Sequence, residues 1–186
     1  HIIALKSLNV DITIYALRSS INSNIENDVI NIFSINEIKG KIDFAIISNP
    51  TNLHFESITW LTELGIPMFI EKPAIHTIHS SELLLKKVES KSLFTYVACN
   101  LRFHPCIQYI YNYLQTRTNF KINEVNIYCG SYLPDWRPNL NFKNVYSANK
   151  EEGGGVHLDL FHEIDYAYWL FGELDKTTAI QANKSS

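Results

Sequence analysis

The first half of the chain alternates short apolar runs with segments whose apolar residues recur every three or four positions. The apolar runs are typical of strands buried on both faces of a parallel sheet, and the periodic segments are typical of amphipathic helices. The predicted strands are 11–17, 43–47, 67–70 and 93–98, and the predicted helices between them are 53–64 and 80–88. This alternation predicts a parallel α/β sheet.

The second half is richer in irregular, polar and aromatic sequence. The predicted elements are a tyrosine-rich helix at 104–114, a strand at 124–129 and a helix that follows the glycine run 153–155 and extends to about 171. The long segment 130–152 predicts an ordered loop, and loops of that length are often functional. The change of pattern near residue 98 predicts a boundary between two domains.

Composition changes this picture little. The 186 residues are 46% hydrophobic and 19% charged with a net charge of −3, which is ordinary for a globular protein and too apolar for a disordered one. No basic stripe indicates nucleic-acid binding, and no run reaches the ~18 apolar residues of a membrane span. Cys99, Cys106 and Cys129 form no CxxC pair, which predicts reduced thiols in a cytoplasmic protein.

The first candidate for chemistry is Glu71-Lys72-Pro73, which directly follows the predicted strand 67–70. Open parallel sheets bind ligands at the carboxyl ends of their strands. A lysine there can hydrogen-bond a substrate hydroxyl and help to move its proton, with Glu71 orienting it and Pro73 shaping the turn. The alternative is an ordinary surface lysine in a strand-to-helix loop.

The second candidate is the segment 153–165, which begins with three glycines. On one continuous helix, Asp159 and His162 would share a side through an i, i+3 step. A carboxylate beside an imidazole orients it and raises its basicity for acid–base chemistry. The alternative is an ordinary polar helix face. The glycine run is also compatible with a phosphate cradle, although three glycines alone are weak support.

Taken in order, these motifs resemble the Gfo/Idh/MocA oxidoreductase family. The matching motifs are EKP after an apolar strand, NxRFxP at 100–105 and GGGVxLDLxHEIDYxxWLFG at 153–172, and together they cover nearly the whole chain. The resemblance implies an α/β fold, with an incomplete Rossmann-type parallel sheet at 1–98 and the start of an α+β substrate domain with an open sheet at 99–186. It also implies hydride transfer between NAD or NADP and a sugar, cyclitol or nucleotide-sugar.

The resemblance carries functional roles to individual positions. Lys72 and His162 match catalytic residues that also contact substrate, and Asp159 matches the carboxylate that precedes the histidine. The positions that match cofactor-lining residues are Ser48, Asn49, Pro50, His54, Glu71, Lys72, Pro73 and Arg102.

Two departures from the family's pattern matter. Asp159 lies three residues before His162, whereas the spacing is four in many members, which leaves the role of Asp159 open. The GxGxxG loop that places a pyrophosphate at a helix N-terminus is absent. We interpret the sequence as truncated at both ends, because His1 falls within the helix after that loop and the family's large sheet needs strands beyond Ser186.

The ribose end of the expected cofactor site bears on the choice of dinucleotide. The second Rossmann strand commonly ends in an acidic residue that binds the ribose hydroxyls. Ala16 stands at that place here, and Arg18 follows it. An arginine without a carboxylate favours NADP over NAD as a cofactor-binding hypothesis. The alternative is a solvated loop arginine.

The aromatic loop supplies candidates for substrate binding. Tyr132, Trp136 and Tyr146 are able to stack on a sugar ring, with Arg137 binding hydroxyls or a phosphate. An aromatic mini-core that pins the loop explains the same residues equally well.

The sequence therefore predicts a cytoplasmic, nicotinamide-dependent oxidoreductase that acts on a small sugar-like molecule and assembles as a homodimer or homotetramer. We expect neither nucleic acid nor membrane as a partner. No metal site is predicted, because the histidines at 76 and 79 lack a third ligand nearby. The alternative function is a catalytically inactive dinucleotide- or sugar-binding relative.

Overall fold

The computed structural model describes residues 1–20, 28–38, 40–117, 119–136 and 139–180. Within these ranges the chain forms five short strands, all paired in parallel. The strands are β1 (Ile14–Leu17), β2 (Val29–Ile32), β3 (Ala45–Ile47), β4 (Met68–Ile70) and β5 (Thr95–Val97).

The strands are divided between two sheets among the described residues. One sheet pairs β1 with β2, and the other has the order β3-β4-β5. In the second sheet Ile47, Ile70 and Val97 stand side by side at the carboxyl ends of the strands. The loops that follow β3, β4 and β5 therefore begin at the same edge. The parallel α/β architecture predicted from the sequence is confirmed.

Six α-helices lie in the described residues. They are α1 (Ile2–Ser7), α2 (His54–Leu64), α3 (Ser81–Ser90), α4 (Pro105–Gln115), α5 (Val156–Asp159) and α6 (Phe161–Phe171). Short 3-10 turns connect them at Ile35–Glu37, Thr51–Leu53, Asn100–Phe103, Leu133–Trp136, Phe142–Asn144, Tyr146–Ala148 and Lys150–Glu152. None of these helices combines the length and the apolar character needed to cross a bilayer.

The hydrophobic core lies between the three-stranded sheet and two helices. Its buried members are Ile47, Ile58, Leu61, Ile66, Met68, Ile70, Leu84 and Val88. Burying each aliphatic side chain of this size contributes roughly 1.5–3 kcal/mol relative to exposure. Helix α2 ends at Gly65 (φ 71°), where the Ile66 N–H donates to the Leu61 carbonyl and turns the chain into β4.

Two predicted elements of the second half are wrong. Residues 124–129 form no strand among the described residues, and all of them are exposed. A strand needs a neighbouring strand to satisfy its backbone N–H and C=O groups, and the described chain places none there. The single helix predicted after the glycine run, extending to about 171, is broken at Leu160 (φ −96°, ψ 37°), which separates α5 from α6.

Candidate functional site

Lys72 lies at the carboxyl edge of β4, as predicted from the sequence. The sheet hydrogen bonding continues as far as Glu71, whose N–H donates to the Ile47 carbonyl at 2.9 Å. The Glu71 carboxylate accepts from the Lys72 backbone N–H at 3.1 Å and contacts the His1 ring nitrogen Nε2 at 2.8 Å. The Lys72 side chain donates from Nζ to the backbone carbonyl of Asp159 at 2.9 Å.

Lys72 and His162 line one cavity of about 220 Å³, although 90 positions separate them in the sequence. The other lining residues are His1, Phe69, Glu71, Ala98 and Asn100. The cavity therefore lies where the loops after β4 and β5 meet the start of α6. This is the edge at which parallel sheets bind ligands.

The surroundings of His162 favour the uncharged form of its imidazole ring. Burial lowers its pKa below the usual value near 6.5, and the positive charge of Lys72 lowers it further, against the opposing fields of three carboxylates (Glu163, Asp165 and Glu71). Its buried Nδ1 has no hydrogen-bond partner among the described residues. A neutral imidazole with an unused ring nitrogen is able to accept a proton from a bound hydroxyl.

The Asp159 carboxylate contacts residues that precede it in the chain, whereas the Asp159 backbone carbonyl accepts from Lys72. Oδ1 accepts from the Ser147 hydroxyl at 3.2 Å, and Oδ2 faces the Gly155 N–H at 3.5 Å. The predicted i, i+3 arrangement with His162 requires one continuous helix, and the break at Leu160 removes it. Ser147 was not identified from the sequence, because nothing local marks a serine as the partner of a carboxylate twelve residues later.

Arg102 binds another part of the protein. Its guanidinium forms a bidentate pair with the buried carboxylate of Asp165, with Nε and NH2 at 2.9 and 2.6 Å from the two oxygens. This hydrogen bonding raises the pKa of Arg102, and the guanidinium also lies 5.6 Å from the centre of the Trp169 ring. The pair ties the turn Asn100–Phe103 to α6.

The Cys99 thiol lies near the same pair. Burial, with Asp165 nearby, raises the pKa of this thiol to about 11.

The loop after β3 lies at the same edge of the sheet. Ser48, Asn49 and Pro50 are exposed there, whereas His54 is only 1% exposed. The two ring nitrogens of His54 lie 3.0 Å from the Pro73 carbonyl and 2.9 Å from the Asn49 carbonyl. Through these two contacts, the buried His54 ring links the loop after β3 to the loop after β4.

Two further predicted residues, Arg18 and Trp136, do not line this cavity. Arg18 follows β1 and donates from Nε to the Asn31 side chain of β2 at 2.9 Å. Trp136 is 39% exposed, and its indole N–H donates to the Ser131 hydroxyl. Arg137 lies outside the described residues.

The glycine run serves close packing. A Cβ on Gly154 would lie 2.2 Å from the Tyr146 carbonyl oxygen, so only glycine lets these two backbones approach. Gly153, with φ 86°, packs in the same way against Thr51 in the turn before α2. No group of three or more potential metal ligands occurs among the residues that the structure describes.

Comparisons with known proteins support the fold described above. No family model matches the chain. The rhizopine catabolism protein MocA of Rhizobium meliloti is 23% identical over 150 residues, which cover 79% of this chain and 44% of that protein. The 2,7-anhydro-N-acetylneuraminate hydratase of Mediterraneibacter gnavus is 20% identical over 159 residues, which cover 84% and 39%.

A solved structure shows the same fold. The WlbA (WbpB) dehydrogenase of Thermus thermophilus, in complex with NAD and alpha-ketoglutarate, has a TM-score of 0.54 and 19% identity, with 70% of this chain and 40% of that chain covered. The class defined by the fold is thus Rossmann-like parallel α/β. Within it, the predicted resemblance to the Gfo/Idh/MocA oxidoreductases is confirmed. The chain spans less than half the length of these relatives.

Proposed function

We propose that the full-length gene product is an NAD(P)-dependent oxidoreductase that moves a hydride between nicotinamide and a secondary hydroxyl-bearing carbon of a sugar, cyclitol or nucleotide-sugar. The observation that carries the proposal is the cavity at the carboxyl edge of the sheet, which Lys72 and His162 line together. The names of the relatives support it, because one is a dehydrogenase solved with NAD.

The residues at this edge fit a dinucleotide with its nicotinamide near Lys72. The exposed turn Ser48-Asn49-Pro50 would hold the dinucleotide, beside Glu71 and Pro73, and the His162 ring lines the cavity that would take the substrate. Bound nicotinamide supplies the hydride acceptor. Arg18 at the end of β1 would meet the ribose, where its guanidinium would bind a 2′-phosphate.

The protein's own groups then handle the proton. The Lys72 ammonium donates a hydrogen bond to the substrate oxygen, which stabilises negative charge as the O–H bond breaks. The neutral imidazole of His162 takes the hydroxyl proton. The carbon loses its hydrogen with the electron pair to nicotinamide, and a ketone remains. Proton and hydride thus leave from neighbouring atoms of one alcohol.

Replacing Lys72 with Met tests this function. We expect kcat to fall by about 10³-fold, because the donor to the developing alkoxide is lost, while dinucleotide affinity stays within about 3-fold. Turnover is followed by nicotinamide absorbance over a panel of sugars, and binding by calorimetry. Lys86→Met on the exposed face of α3 is the matched control. Unchanged turnover in Lys72→Met excludes the proposed role.

The same assay addresses the alternatives. A wild-type protein that binds dinucleotide without any turnover would be a non-catalytic relative. Because one relative is named a hydratase, products are also analysed by mass, where addition of water is distinct from loss of two hydrogens.

We further propose a domain boundary near residue 98, a cytoplasmic location, and assembly as a homodimer or homotetramer. We also propose NADP as the preferred dinucleotide. Tighter or equal binding of NADH contradicts that preference.

A further inference from the structure

We propose that Ser147 and the Asp159 carboxylate are positioning residues that hold the Asp159 backbone carbonyl on Lys72, so that Asp159 acts on the lysine through its main chain. This inference rests on the proposed function for its kinetic consequence. The contacts themselves are independent of that function.

The first step concerns the carbonyl. In a continuous α-helix the carbonyl of residue 159 would accept from the N–H of residue 163. The chain leaves helical geometry at Leu160 (φ −96°, ψ 37°). At this break the Asp159 carbonyl accepts from Lys72 Nζ at 2.9 Å. One of the three ammonium hydrogens is thereby directed at the Asp159 carbonyl, and this contact leaves the other two for a ligand.

The second step concerns the carboxylate. Ser147 is only 9% exposed, and its hydroxyl donates to Oδ1 of Asp159 at 3.2 Å. The Gly155 N–H faces Oδ2 at 3.5 Å. The side chain thus ties α5 to the turn before the glycine run and to the last glycine of that run, and it fixes the direction of the backbone that carries the Asp159 carbonyl.

The third step concerns the turn that carries Ser147. The backbone of Tyr146 and Ser147 lies directly against Gly154, where a Cβ would come within 2.2 Å of the Tyr146 oxygen. The Gly154 N–H also donates to the Asn149 carbonyl at 2.9 Å. The serine therefore stands on backbone that is packed closely against the start of α5.

Two pairs of substitutions test the proposal by steady-state kinetics in the full-length gene product. Ser147→Ala should lower kcat by about 3- to 30-fold with KM nearly constant, and Ser147→Thr, which keeps the hydroxyl, should restore most of the loss. Asp159→Asn keeps the carbonyl and an oxygen for Ser147, so kcat should fall by less than about 10-fold, whereas Asp159→Ala should lose more. An Asp159→Asn loss as large as that of Lys72→Met would overturn the proposal, because the carboxylate would then act on the reacting atoms.

A second measurement does not depend on turnover. The acetylation rate of Lys72 by an amine-reactive acetyl ester is read by peptide mass spectrometry, relative to exposed Lys86. Ser147→Ala and Asp159→Ala should raise this ratio by about 3-fold or more, and Ser147→Thr and Asp159→Asn should change it little. A raised ratio in a protein without nicotinamide-linked turnover supports the positioning contact and rejects the proposed function. An equal ratio in all four variants overturns the positioning role.

Discussion

The two halves of the described molecule are held together by different interactions. Around β3, β4 and β5, aliphatic side chains bury one another, and their contacts come from neighbouring elements along the chain. From the turn Asn100–Phe103 to α6, buried side chains also make directed polar contacts, such as those of Asp165 with Arg102 and of Ser147 with Asp159. The comparison teaches that the first half supplies a scaffold and the second supplies directed contacts onto it.

Two of the polar contacts join residues that are far apart in the sequence. Arg102 and Asp165 are 63 positions apart, and Lys72 and the Asp159 carbonyl are 87 apart. Each depends on direction as well as distance, because a hydrogen bond weakens steeply when it is bent. An aliphatic core tolerates small rearrangements better. Substitutions in the two regions should therefore differ in kind.

The largest effect on stability is expected at the Arg102–Asp165 pair. Arg102→Leu leaves a buried carboxylate without its partner and should lower the free energy of unfolding by about 3–5 kcal/mol. Denaturant titration measures it. The double variant Arg102→Leu/Asp165→Leu removes both charges and should recover much of the loss. Equal losses in the single and double variants would mean that the pair is no more than a packing contact.

A similar or slightly smaller effect is expected in the aliphatic core. Leu61→Ala removes a side chain that is 2% exposed, and it should lower the free energy of unfolding by about 2–5 kcal/mol. Exposed Leu83→Ala on α3 is the matched control, with a change within about 0.5 kcal/mol. At temperatures where Leu61→Ala remains folded, its kcat should match wild type. A fall in kcat of the folded Leu61→Ala protein would contradict the distinction between a scaffold that sets stability and polar contacts that set turnover.

Gly154→Ala should affect both stability and turnover. The added methyl group overlaps the Tyr146 carbonyl, and relief of the overlap should cost about 1–3 kcal/mol. Because the displaced backbone carries Ser147 and α5, kcat should fall as well, in contrast to Leu61→Ala. Stability and kcat are compared for the two variants side by side. A Gly154→Ala protein with wild-type kcat would show that turnover does not depend on the close packing of α5 against this backbone.

The smallest effect is electrostatic. The Lys72 charge lowers the pKa of His162, so Lys72→Met should raise it. The sign follows because a nearby cation disfavours the imidazolium, and its removal lets the ring protonate at higher pH. NMR titration of labelled histidine in wild type, Lys72→Met and Lys86→Met measures this shift. An unchanged His162 titration in Lys72→Met would contradict the contact across the cavity.

Local pattern predicted the scaffold better than the directed contacts. The strands at 43–47 and 67–70 and the end of α2 at Gly65 are confirmed, because burial on both faces and a left-handed cap leave clear marks in sequence. The break at Leu160 leaves no such mark. Periodicity continues through it, and the competing donor to the Asp159 carbonyl lies in a loop 87 positions earlier.

The site shows the same limit. Lys72 and His162 were predicted from their motifs, and the structure brings both to one cavity. Arg102 was predicted to meet cofactor, and that role stays a prediction; its guanidinium pairs with Asp165, a partner that no local spacing indicates. The strand predicted at 124–129 failed for a related reason, since alternation describes one strand and says nothing of the neighbour it requires.

The contact between Lys72 and the Asp159 carbonyl has a consequence for the evolution of this chain. A carbonyl oxygen belongs to every amino acid, so mutation at position 159 cannot remove the lysine's acceptor by changing residue type alone. Selection on that contact would act on the length and curvature of the segment that presents the carbonyl, and on the side-chain contacts that hold this segment in place. A gain or loss of one codon between Asp159 and His162 would therefore disturb the lysine more than most single-nucleotide changes there.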